Sequence, residues 1–149
     1  MKLLNVTVIA CGAALLLTAA ETRITRTELP AAVEKTVQEQ SKGATIRGFT
    51  KEVENGRTVY EAEMTVNGRG RDISMTSDGN IVETENRIAL DQVPAAARRA
   101  IQRDAGKGRI TKVESVNTGN TVHYEATVSR SGRHREIAVD ADGKPVHEE

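Results

Sequence analysis

The chain predicts an α+β fold of two tandem repeats, each a helix packed on a roughly four-stranded antiparallel sheet. Three observations carry this expectation. The chain aligns with itself at an offset of about 64 residues. Each copy opens with apolar residues at helical spacing, and the period then changes to two between Asn-Gly and Asp-Gly turn signals.

The self-alignment is gap-free from Leu29 to Glu85 and from Val93 to Glu149. Leu29-Pro30-Ala31-Ala32 meets Val93-Pro94-Ala95-Ala96, Tyr60-Glu61-Ala62 meets Tyr124-Glu125-Ala126, and Asp78-Gly79 meets Asp142-Gly143. The expected organisation is an export signal at 1–20, a lead-in at 21–28, repeat one at 29–85, a connector at 86–92 and repeat two at 93–149.

In the first 20 residues Lys2 is the only charge, and Leu3 to Ala20 is almost continuously apolar or small. This pattern reads as a secretory signal, with Thr18 and Ala20 in the small-residue subsites and cleavage before Glu21. Two alternatives exist: Val8-Ile9-Ala10-Cys11 resembles a lipid-attachment motif, and the apolar run is about as long as the shortest membrane-spanning helices. The lipid reading would leave Ala13 to Ala20 in the mature chain without a role. The expected location is the periplasm or the cell exterior, the alternative being a lipid or N-terminal anchor facing the periplasm. After signal cleavage no membrane span remains. Cys11 is the only cysteine, so its removal leaves no disulfide, thiol nucleophile or thiolate ligand.

Each unit then opens with a helix. In the first, Thr27 is the expected N-cap, Pro30 sits in the first turn, and Leu29, Val33 and Val37 form the apolar stripe before Gly43. In the second, Asp91, Pro94, Val93, Ala97, Ile101 and Gly106 take these parts. Ile46 to Val53 and Ile110 to Val116 read as strands interrupted by a bulge, since strict alternation breaks within them. Asn67-Gly68 then marks a tight hairpin between Arg57–Val66 and Arg69–Thr76. Its register places Tyr60, Ala62, Met64, Ile73 and Met75 inside, with Glu61, Glu63, Thr65, Asp72 and Ser74 outside. The second hairpin places Tyr124, Ala126, Val128, Ile137 and Val139 inside, with His123, Glu125, Thr127, His134 and Glu136 outside. After Asp78-Gly79 and Asp142-Gly143, short returning strands are expected through Val82 and Val146.

Basic and acidic residues number 21 each, so no global field draws in nucleic acid or an anionic membrane. Two tyrosines and one phenylalanine are the only aromatic residues, which removes the stacking platforms of single-strand binders.

A helix opening on Leu-Pro-Ala-Ala or Val-Pro-Ala-Ala, an isoleucine strand, Tyr-Glu-Ala, a Gly turn and a strand closing on Asp-Gly together resemble the PepSY-like group of exported bacterial domains. The tandem layout is similar to that of beta-lactamase inhibitory protein. The resemblance implies a peptidase-binding or peptidase-inhibiting role, because related domains occur in peptidase propeptides. It carries no functional residue, since the matching positions are caps, core and turns. The aromatic concave face of the inhibitory protein has no counterpart here, where the outer face is Glu, Thr, Ser, Asp and His.

No G-x-S-x-G elbow, phosphate loop or H-E-x-x-H occurs, so no enzyme is expected and no cofactor is implied. Glu61 and Glu63 could be read as an acid/base pair, but a solvated strand face is the preferred reading, because the second copy keeps only Glu125 and no apolar pocket is expected to raise a pKa. His123 faces Asp140 in the expected pairing, a weak metal-site alternative. His147 lies near the terminus, and Asp140-x-Asp142-Gly143 is explained as a turn. Arg98, Arg99 and Arg103 form a basic helix face, whereas Arg71 and Arg135 turn inward near a sheet end and could hold a carboxylate. The expected function is an exported non-catalytic binding module, an inhibitor or regulator of an envelope or secreted enzyme such as a peptidase. Its partner is a protein in the envelope or outside the cell. The outer face would serve it through Glu61, Glu63, Asp72, His123, Glu125, His134 and Glu136. The alternative is a periplasmic ligand-binding or metal-cation-sensing protein.

Overall fold

The computed structural model describes residues 21–54 and 56–146. The export signal, its cleavage site, Cys11 and His147 lie outside the described residues. Eight strands form one antiparallel sheet in chain order: β1 (Thr22–Ile24), β2 (Thr45–Glu54), β3 (Arg57–Val66), β4 (Arg69–Thr76), β5 (Ile81–Arg87), β6 (Arg109–Thr118), β7 (Thr121–Arg130) and β8 (Arg133–Asp140). Two helices accompany it, α1 (Ala31–Gln40) and α2 (Ala95–Ala105).

This corrects the expected fold class of two repeats, each a helix on its own four-stranded sheet. The overturning element is β5, which pairs with β4 from Arg71↔Asn86 to Met75↔Ile81 and with β6 from Glu83↔Thr118 to Arg87↔Glu114. A strand bonded on both sides leaves no sheet edge in the middle of the molecule, so the result is a single sheet.

Alternation puts one set of side chains beneath the helices. Val33 and Val37 of α1 pack on Phe49, Ala62, Met64, Ile73 and Met75, while Ala97, Ala100, Ile101 and Ala105 of α2 pack on Val113, Ala126, Val128, Ile137 and Val139. Between these clusters the same sheet face carries Thr84, Asn86, Ser115 and Asn117, which is too polar to continue the core.

The hairpins form as expected. Asn67 (φ 51°) and Gly68 (φ 78°) supply the two positive angles of a tight turn, with Ala62 opposite Ile73. Bulges interrupt β2–β3 pairing between Ile46 and Gly48, and β6–β7 pairing between Ile110 and Lys112. The helix starts differ from expectation. Thr27 and Asp91 do not cap α1 and α2, whose N-caps are Pro30 and Pro94. A 3-10 turn precedes each helix, at Arg26–Glu28 and Leu90–Gln92. Glu28 accepts the Thr25 N–H at 2.8 Å and Gln92 accepts the Ala89 N–H at 2.9 Å, so acceptors three residues along satisfy these turns first. The return near Val146 is a single bridge rather than a strand: Val139 pairs with Pro145, and Val146 donates its N–H to Ala138 O at 3.0 Å.

Candidate binding face of the sheet

Both helices, together with Leu29 and Leu90, pack on one face of the sheet. The opposite face carries polar side chains in register across six strands. One row runs Glu63, Asp72, Glu85, Val116, His123, Asp140 along β3 to β8. Beside it lie Glu61, Ser74, Glu83 and Thr118 on one flank, and Arg87, Glu114 and Glu125 on the other.

Several of these side chains are buried although no other element among the described residues packs over them: Thr50, Val59, Glu114, Val116, His123 and Glu125. Here the expectation that this face stands in water fails, since Glu125 is only 7 % exposed and His123 9 %. They satisfy each other, His123 Nε2 lying 2.7 Å from Glu125 Oε1.

At the β1–β4 end, cations answer the acids. Arg23 Nη1 lies 3.2 Å from Glu63 Oε1, and Arg47 Nη2 lies 2.9 Å from Asp72 Oδ1. Among the described residues Glu61 has no such partner, and it accepts the Thr50 hydroxyl at 3.2 Å. Burial, and then the nearby Asp72 charge, push its pKa up to about 7.

The centre is more acidic. Carboxylate oxygens of Asp72, Glu85 and Glu114, from three successive strands, all lie within 4.8 Å of one another. Burial, followed by the Glu114 charge, pushes the Glu85 pKa up to about 8. Lys112 Nζ stands 2.6 Å from Glu114 Oε2, forming an ion pair on a carboxylate that is almost wholly buried. Burial opposes the Lys112 charge, but Glu114, with Glu85 and Glu136, outweighs it and raises the lysine pKa above its ordinary value. Three oxygens at this spacing would suit a hard cation. The Lys112 ammonium already supplies positive charge beside Glu114, and a proton on Glu85 removes one negative charge.

Of the residues expected on this face, Glu61, Glu63 and Asp72 gather at one end and His123 and Glu125 at the other, with Glu136 close enough for its charge to act on Lys112. His134 is exposed opposite Ser129, next to the β7–β8 turn and away from the rest. Asp140 faces His123 across the register, but its Oδ1 accepts the N–H groups of Asp142 and Lys144 at 2.9 Å each, so it braces the turn. Glu83, Glu85 and Glu114, which join the two ends, were not anticipated. Alternation of Glu83 with Glu85, and of Lys112 with Glu114 beyond the β6 bulge, was the signal that could have found them.

No family model matches the chain, and no curated protein matches it by sequence. Solved structures do resemble it. A Bacteroides eggerthii protein assigned to the periplasm superposes with a TM-score of 0.65 at 19 % identity, over 80 % of this chain and 86 % of that one. A DUF2874-family protein of Bacteroides ovatus gives 0.63 at 16 % identity, over 80 % and 85 %. A BLIP-like protein of Bacteroides fragilis gives 0.58 at 19 % identity, over 79 % and 83 %. At these identities the likeness is one of fold, and the layout is BLIP-like. Among the described residues no helix is long and apolar enough to cross a membrane.

Proposed function

We propose that the mature chain is an exported, non-catalytic binding module of the periplasm or cell exterior that presents the polar face of its sheet to a protein partner. In this reading it inhibits or regulates an envelope or secreted enzyme, the role implied by the PepSY-like resemblance. One observation carries the proposal: among the described residues helices cover one side of the sheet, and its other side is an array of polar and charged groups. A partner meets Glu61, Glu63, Asp72 and Glu83 there, whereas Glu114 and Glu125 are buried and Glu85, with its pKa pushed up to about 8, takes up a proton. Such a surface favours a partner that presents Lys or Arg.

The test is capture from envelope extract with residues 21–149 as bait, beside a Glu63→Lys/Glu83→Lys double variant whose fold is checked by circular dichroism. A protein held by the wild type, released by salt and lost from the folded variant supports the proposal. Equal capture by both would place the binding surface elsewhere.

A further inference from the structure

Beside the β3–β4 turn, an open depression of about 510 Å³ spans the neighbouring ends of β3, β4 and β5. Asn67, Arg69 and Arg71 line it together with Asn86 and Arg87. Arg69 and Arg71 are two residues apart on one strand and pair with Val66 and Met64, so both project to the same side of β4.

The partners of these arginines are uncharged. Arg71 donates from Nη2 to the neutral Gln40 side-chain oxygen at 3.2 Å, and Arg69 donates from Nη1 to the neutral Gln92 side-chain oxygen at 2.7 Å. Arg87 donates to the Thr111 carbonyl at 3.2 Å. Among the described residues none of the three forms an ion pair, as is also true of Arg57, Arg98 and Arg99. The Arg71 Nε–H is buried without an acceptor. A buried donor left unsatisfied costs about 1–3 kcal/mol. Part of the Arg71 charge is answered by its place near the end of α1, whose last carbonyls favour a cation. That answers the charge but leaves the Nε–H and the neighbouring Arg69 charge as they are.

We propose that this depression binds a small oxyanion between the Arg69 and Arg71 guanidinium groups. Planar guanidinium forks match the paired oxygens of a carboxylate, phosphate or sulfate, and Asn67 and Asn86 add amide donors at the rim. Arg69, Arg71 and Asn86 project to the helix side of the sheet, and the depression meets the polar face only at Gly70 and Arg87.

The experiment follows the arginine Nε–Hε signals of residues 21–149 by nuclear magnetic resonance. Phosphate, sulfate and succinate are each titrated at constant ionic strength against chloride. At least one anion should move the Arg69 and Arg71 signals saturably while the exposed Arg103 signal shifts little. Phosphate without succinate would identify a phosphoryl group, and succinate alone a carboxylate ligand. Gln40→Glu places a carboxylate where Arg71 now meets an amide, so it should abolish saturation with both arginines present. Arg69→Gln, at an exposed position, should weaken binding roughly tenfold or more, about 1.4 kcal/mol. Shifts that never saturate, that Arg103 shares, or that persist unchanged in both variants would overturn the proposal.

Discussion

Asp72 on β4 and Glu85 on β5 are direct cross-strand neighbours, and Glu114 on β6 brings a third carboxylate within 4.8 Å of both. Like charges placed opposite one another destabilise a sheet. Arg47 holds Asp72 and Lys112 holds Glu114, which leaves Glu85 as the member of the trio to take up a proton.

The first prediction concerns pH. Glu85 and Glu61 have folded pKa values raised to about 8 and about 7, from 4.5. A raised carboxyl pKa gives stability that is complete below about pH 4.5 and is lost as the pH climbs to the folded value. Stability measured by urea unfolding should therefore fall from pH 5 to pH 9. Glu85→Gln should flatten the curve and exceed the wild type by about 1–2 kcal/mol at pH 9, allowing for solvent screening. Glu28, Glu34 and Asp78 do not confuse the test. Hydrogen bonds from the Thr25 backbone, the Arg26 side chain and the Thr76 side chain hold them below the usual range, so they act only in acid. A variant curve parallel to that of the wild type would remove Glu85 as the cause.

A second prediction separates two glutamates that look alike in sequence. Glu63 is partly exposed beside Arg23, whereas Glu125 is 7 % exposed and bonded to His123. Glu63→Ala should cost no more than about 1 kcal/mol, as exposed ion pairs do. Glu125→Ala should cost about 2–4 kcal/mol, by losing buried contacts and stranding the His123 ring. Equal losses would show that the burial difference carries no energy.

The hairpins were legible because Asn67-Gly68 pins the turn and Tyr60, Ala62 and Met64 alternate with Glu61 and Glu63 along the strand. Continuity of the sheet was not. Residues Glu83 to Asn86 of β5 are polar on both faces, so alternation gives no sign that the strand is paired on both sides. The segment reads as a short return followed by a connector. The candidate face was half legible for the same reason. Its ends sit on amphipathic strands, while its centre, Glu85 and Glu114, depends on which strands meet. Val116 misleads too, being apolar, buried and yet on the polar side.

The third prediction concerns the core. Ile73 is 1 % exposed under α1, and Ile101 of α2 is fully buried. Either residue changed to Ala should cost about 2–5 kcal/mol through lost transfer energy and a residual cavity. Because one sheet joins the two clusters, circular dichroism and hydrogen exchange should report a single unfolding transition for each variant. Ile73→Ala unfolding only the α1 half would mean that the β5–β6 seam does not couple the clusters.

The last prediction concerns Gly79, which ties the β4–β5 turn to α1. Its φ is +81°, and a Cβ there would stand 2.6 Å from the Ala32 carbonyl oxygen, a backbone atom that cannot swing aside. The Gly79 carbonyl also accepts the Thr36 hydroxyl at 2.8 Å, so the turn is held against the helix from two directions. Gly119 in the β6–β7 turn has a similar φ of +60° with open space where a Cβ would go. Replacing Gly119 with Ala therefore meets only the left-handed backbone penalty, about 1–2 kcal/mol. Gly79→Ala meets the same penalty and must in addition push α1 off the sheet, so its cost should exceed that of Gly119→Ala by about 1–3 kcal/mol, in the range seen for overpacking. Urea midpoints of the two variants give the comparison directly. Removing the Thr36 hydroxyl with Thr36→Val should cost about 1 kcal/mol in the wild type and less in Gly79→Ala, where the turn has already moved. Equal losses at the two glycines would mean that α1 and the turn are not in contact, and the packing of the first cluster would have to be redrawn.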